Sequence, residues 1–227
     1  MTRPIVTTQF HSHSKYMYIP KQFEINDVAV MQQLMRDYPL ATLISRTAEF
    51  INANHIPLML LSEPPPLGCL QGHIARANPL LQQLLDNPEV LVIFQGAQSY
   101  ISPSWHPSKQ EKHQVVPTWN YTAVHAYGCV RVKDDSQWLK NHLAAMTTQH
   151  ETAFPNPWKL ADAPLEYLAK MLNAIVGIEI HLTKLQGKWK VSQNRTPEDQ
   201  QGVIEGLQEV GNQEMAALVK QFGVTQF

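Results

Sequence analysis

Cysteine is almost missing from this chain, which has only Cys69 and Cys129 among its 227 residues. Two thiols build neither a disulfide framework nor a four-thiolate zinc site, and such usage is ordinary for a reducing cytosol. Excess charge is missing too. The 18 basic and 19 acidic residues leave a net charge of −1, so no global field draws the chain onto nucleic acid or anionic lipid. No continuous apolar segment lies near the N-terminus, and the longest in the chain, residues 56–61, falls far short of the about 20 residues that span a bilayer. A glycine-rich strand-to-helix turn is absent, which argues against a Rossmann site and a P-loop. The 10 histidines include no His-x-x-x-His pair with a glutamate and no Cys/His zinc spacing, so no metal site is expected. Ser102 and Ser104 lie in a proline turn without a nucleophile-elbow pattern. These absences predict a soluble, cytoplasmic protein without membrane contact, triad or metal.

What is present is an ordinary globular composition, 44% hydrophobic and 16% charged, in a chain long enough to bury one good-sized core. Residues 1–16 read as a flexible tail and residues 17–227 as a single domain. Asn26 is placed to cap a helix bearing Val28, Met31, Met35 and Tyr38 at helical spacing. PLATLISR and NANHIPLMLL then read as a hairpin, GCLQGHIA as a further strand, LLQQLLD as a short helix and EVLVIFQG as a buried strand. Residues 120–133 alternate, with Thr122, Val124, Ala126, Val130 and Val132 on one face and Tyr121, His125, Tyr127 and Arg131 on the other. Two helices follow, near Asp135 and after Pro164. VGIEIHLTKLQGKWKVSQ reads as two strands joined at Gln186 and Gly187, and Thr196 opens a C-terminal helix interrupted near Gly211. Many short strands with helices filling the gaps predict an α+β fold, with a closed or half-closed barrel rather than a parallel doubly wound sheet.

The densest chemistry lies in residues 100–121, where YISPSW and VPTWNY flank a charged loop. Trp105 and Trp119 offer flat apolar faces beside the polar Ser102, Ser104, Thr118 and Asn120. Such a pairing suits a planar ligand with polar edges, or an interface enclosing one; an aromatic loop packed on its own core is the alternative. GHIARANP supplies His73, Arg76 and Asn78 at a strand end and helix start, the donor types a phosphate needs. A guanidinium paired with a carboxylate and a histidine satisfied by backbone is the plainer reading of that segment. KLQGKWKVSQNR gathers Lys184, Lys188, Lys190 and Arg195 around Trp189, a pattern for phosphate contact plus stacking, or for a solvated hairpin.

MYIPKQFE, PLATLISR, ANHIPLML, GHIARANPL, VLVIFQG, YISPSW, VPTWNYTAVHAYG, the PWK segment, IVGIEI and GKWKVSQNR occur in one order over about residues 17–211. In this the chain resembles the PaiB-type family of FMN-binding negative transcriptional regulators. The resemblance implies a split β-barrel with flanking helices and a C-terminal helix, related to pyridoxamine-phosphate oxidase and flavin-reductase barrels. It also implies a homodimer with FMN at the subunit interface, and repression of transcription; a flavin-dependent oxidoreductase acting on a small molecule is the alternative, and a dimeric module for another planar ligand a third. Repression brings in DNA as a partner, although no DNA-reading motif is visible. Carried over by motif position, the resemblance puts His73, Arg76 and Asn78 near the phosphate, Thr42, Ser45 and His55 along the barrel groove, and Trp105, Thr118, Trp119 and Asn120 near the ring or ribityl chain. Lys190 and Gln193 follow from the C-terminal hairpin. No general base stands out. Where the family's SPSW is followed by tyrosine, this chain has His106, whose imidazole would take that place beside the flavin.

Overall fold

The computed structural model describes residues 17–109 and 115–223; the expected tail at residues 1–16 lies outside them. Eight strands form one sheet: β1 (Glu24–Ile25), β2 (Leu40–Arg46), β3 (Ile51–Pro57), β4 (Met59–Leu61), β5 (Cys69–Ala75), β6 (Glu89–Ile101), β7 (Thr118–Lys133) and β8 (Ile175–Lys190). They are ordered β3-β2-β6-β7-β8-β5-β4, with β1 also on β8. The pairings are antiparallel. The two ends of this order, β3 and β4, are separated in sequence by Leu58 alone, so the sheet curls on itself and closes as a split barrel.

Alternation along each strand sends Leu43, Val92, Phe94, Val124, Ala126, Ile178 and Ile180 inward, all with no exposed surface. Helix α1 (Val28–Asp37) packs Met31, Leu34 and Met35 into the same core. Its cap is Asp27 rather than Asn26, because the Asp27 carboxylate accepts the Ala29 and Val30 N–H groups. Short α2 (Leu80–Asp86) buries Leu80 and Leu84, while α3 (Ser136–Glu151) and α4 (Leu165–Asn173) lie beyond β7 and lead into β8. No helix among the described residues is long and apolar enough to cross a membrane.

One further sequence expectation is corrected here. Residues 175–190 form one strand instead of two joined at Gln186 and Gly187, since β7 pairs with them from Lys133↔Gly177 to Tyr121↔Lys190. Gly187 sits mid-strand against Met31 and Ile25, so its small size admits α1 and β1 rather than making a turn. The C-terminal helix is interrupted at Gly211 as expected, giving α5 (Pro197–Glu209) and α6 (Gln213–Leu218), and the φ of Gly211, 79°, is left-handed. Both belong to the barrel core, through buried Val203, Leu207, Met215 and Ala216. Phe94 is the largest fully buried side chain, and Phe94→Ala is expected to lower the urea-unfolding free energy by about 3–5 kcal/mol.

Candidate functional site

The outward face of the sheet carries a continuous polar and apolar surface. Register sets His55, Thr42, Ile93, His125 and Gln186 side by side across β3, β2, β6, β7 and β8. With strands roughly 4.8 Å apart, His55 and His125 lie about 14 Å from each other along this row. Flanking it are Leu40 and Ile51, which are 64% and 73% exposed.

Further along the same strands the face turns aromatic and cationic. Tyr100 and Trp119 meet edge to face at 6.1 Å between centroids, and Trp119 is half exposed. Lys190 Nζ donates to Thr118 Oγ1 and to the Trp119 carbonyl. Lys188 Nζ donates to the Tyr18 carbonyl at 3.0 Å and stands 5.3 Å from the centre of the Tyr121 ring. Burial, with Arg195 and Lys188 nearby, pushes the Lys190 ammonium below the usual lysine range. Between the two regions lies a hollow of about 370 Å³ lined by Ile93, Trp119, Tyr121, Ala123 and His125 among others. Burial and then Lys188 push His125 down, so its ring is neutral at pH 7. Its Nδ1 is buried without a partner.

The structure thus unites some of the sequence candidates and disperses others. Thr42 and His55 are cross-strand neighbours, and Thr118, Trp119 and Lys190 form one cluster. Ser45 faces inward, donating to Gln83 Oε1 at 2.9 Å, an atom that Asn52 Nδ2 also reaches. Asn78 caps α2 through Leu80 N–H and touches Asn54, whose own Nδ2 is buried and unpartnered. Asn120 is buried against Ser192 Oγ at 2.9 Å. Gln193 accepts the Val191 N–H and donates to the Trp189 carbonyl, closing the turn after β8.

Three candidates lie elsewhere. Arg76 holds both oxygens of Asp134 at 2.9 and 2.6 Å and donates to the carbonyls of Asn173 and Ile175. It clamps the strand ends, with its fork on Asp134. Trp105 leaves the aromatic constellation, because its ring lies against Gly206 of α5, close enough that a Cβ there would sit 2.3 Å from it. His73 packs under α3, with Nδ1 3.3 Å from His142 Nε2. His106 is likewise 2% exposed, with Nδ1 on the Ser102 carbonyl and Nε2 unpartnered, so it backs the loop rather than walling the hollow. Sequence reasoning named Lys188 only within the basic segment around Trp189 and missed the role of His125; the β7 alternation that aligned His125 with Tyr121 was the available signal.

No group of three metal-ligating side chains occurs among the described residues. Flat aromatic faces, ammonium groups and an unpartnered imidazole nitrogen fit a planar, polar-edged ring carrying an anion, which is the make-up of a flavin mononucleotide. A split barrel with such a face defines the class of flavin-binding split barrels. Residues 17–184 match the family described as "Putative FMN-binding domain". A Bacillus subtilis relative, "Protease synthase and sporulation protein PAI 2", is 32% identical over 90% of this chain and 97% of its own. An uncharacterised Emericella nidulans protein is 32% identical over 86% and 92%. In fold, the chain is similar to the FAD and heme binding protein from Mycobacterium smegmatis, with TM-score 0.54 at 16% identity over 74% and 73% of the two chains. It is similar too to a Bacteroides thetaiotaomicron chain described as a "putative 5-nitroimidazole antibiotic resistance protein", with TM-score 0.53 at 13% identity over 78% and 94%. The chain belongs to the PaiB-type family of FMN-binding domains, and its cofactor is FMN. Lys190 and Gln193 lie past the end of the family match.

His142, stacked on Trp138 at 5.2 Å, has its pKa pushed from 6.5 down to about 4, first by burial and then by His73. The unfolded chain therefore takes up this proton more readily than the folded one, so stability is held above pH 6.5 and lost as pH falls from there toward about 4. His142→Phe, which keeps a ring against Trp138, is expected to flatten that part of the pH dependence in urea titrations.

Proposed function

We propose that this protein is a homodimeric, FMN-binding negative regulator of transcription, with the flavin held between the outward sheet faces of two copies. The supporting observation is that Thr42 with His55, and Thr118 with Trp119 and Lys190, lie toward different ends of one exposed face. Isologous packing of that face on a second copy sets one end against the other. Each flavin then has one wall of Thr42 and His55 and another of Trp119 and Tyr121, with Asn78 near the first. Lys188 and Lys190 supply the positive charge a phosphate requires. The exposed Leu40 and Ile51 supply apolar surface for the contact.

When bound, FMN supplies the redox chemistry. The chain's own residues bind it, orient it and exclude water. The regulator reading draws on the Bacillus subtilis relative, whose name ties it to protease synthesis and sporulation. A second reading, an oxidoreductase acting on a small molecule, is favoured by His125. A neutral imidazole with an unpartnered nitrogen in the hollow can hold or pass a proton.

The purified chain is expected to bind FMN at micromolar or tighter affinity and to elute as a dimer. Trp119→Ala and Lys190→Met should each weaken binding by at least about tenfold, and Arg76→Ala should leave it unchanged. A colourless, folded protein that ignores FMN would overturn the proposed site. Gel shifts with genomic fragments at physiological salt test the regulator reading. Retention no stronger than with nonspecific competitor sinks it, and reduction of bound FMN by NADH or NADPH would then favour the oxidoreductase.

A further inference from the structure

Behind the proposed flavin face, on the inward side of β7, lies a second cavity. Tyr121 points outward to the hollow and Thr122 inward, as neighbours on a strand must. The inward cavity measures about 220 Å³ and opens between α1 and the C-terminal helices. Its floor holds Leu34, Trp189 and Thr122, and its mouth holds Asp37 and Glu214. It is independent of the flavin reading, and part of its wall comes from residues beyond the family match at 17–184.

Three features describe what would fill it. First, Thr122 is 1% exposed yet lines the cavity, and its hydroxyl makes no hydrogen bond with another described residue. A hydroxyl that opens into the cavity without such a bond is free to pair with a ligand atom there. A Cβ on Gly96 would fall 2.4 Å from that hydroxyl and 3.2 Å from the Tyr38 ring, so the glycine keeps the space open. Second, among the described residues the lining contains two carboxylates and no lysine, arginine or histidine. Gln33 donates to one oxygen of Asp37 at 2.8 Å and the Tyr38 hydroxyl donates to one oxygen of Glu214, which leaves the second oxygen of each without a side-chain donor among the described residues. Burial and then Glu214 push the Tyr38 hydroxyl up to about 12, so it stays a neutral donor. Third, Trp189 is itself only 2% exposed and gives the interior a flat apolar wall.

We propose that this cavity binds a small organic cation: an aryl or alkyl amine whose ammonium lies at Asp37 and Glu214, whose body packs on Trp189, and whose far polar group pairs with Thr122. At about 220 Å³ the space is below the usual range of drug-sized sites, which restricts the ligand to a single ring or short chain. The pairing of carboxylates with an aromatic wall selects cations over anions of the same shape.

Calorimetry on the full-length chain with tyramine tests this, with 3-(4-hydroxyphenyl)propanoate as the anion of matching shape. Saturable one-site binding of tyramine is expected, without detectable binding of the anion. Joint Asp37→Asn and Glu214→Gln substitution, at two exposed positions, should weaken tyramine by at least about tenfold, and Thr122→Val by about threefold. Circular dichroism and thermal melts of each variant confirm that the fold persists. Absence of saturable binding, equal binding of the anion, or full affinity in the doubly substituted chain would overturn the proposal.

Discussion

Closure of the barrel at Leu58 holds the remainder of the structure in place. The chain leaves β3 at one end of the sheet order and enters β4 at the other across this single residue. Leu58 is 1% exposed, and its N–H donates to the Pro39 carbonyl at 2.9 Å. Its side chain occupies the space above Gly72 on β5, where a Cβ would come within 2.7 Å of it. One buried leucine thus joins the start of β2, the end of β3 and the middle of β5. Because side chains alternate along strands, this closure decides for every strand which residues are sealed in the core and which face out.

The long pairing of β7 with β8 carries that division to the functional regions. Over its length it presents Trp119, Tyr121, His125, Lys188 and Lys190 outward and Asn120, Thr122, Val124 and Trp189 inward. Two chemically different surfaces therefore share one ribbon. The outer surface is aromatic and cationic, suited to a flavin and a phosphate. The inner one is aromatic and, through α1 and α6, acidic. A strand backbone separates them, so each face has its own set of side chains.

Buried polar groups without partners occur beside these surfaces and also away from them. Asn54, His106, His125 and His142 each keep a buried nitrogen unpaired, a cost that folding alone gives no reason to carry. His125 and Asn54 lie toward the outer face and the α2 corner, where a ligand can satisfy them. His142, on the buried side of α3, meets His73 of β5, where two neutral imidazoles share one hydrogen bond, so their packing depends on the proton count.

Strand positions, the α2 helix and the inward set of β7 were legible in the sequence because local alternation, proline and capping residues specify them without reference to distant contacts. The order of the family motifs also identified a flavin-binding split barrel before any coordinate. The unbroken β8 was not legible, since Gln186 and Gly187 resemble a turn until β7 is laid alongside. Nor was the fate of the site candidates. Arg76 and Asn78 are close in sequence, yet Arg76 turns to Asp134 and the chain ends around it, while Trp105 and Trp119 share a segment and face opposite elements. The sequence by itself determined the fold family, the cofactor class and the inventory of polar and aromatic groups. The tertiary structure decided which of them meet, because pairing register and the competition of buried charges for partners are set by residues far apart in the chain.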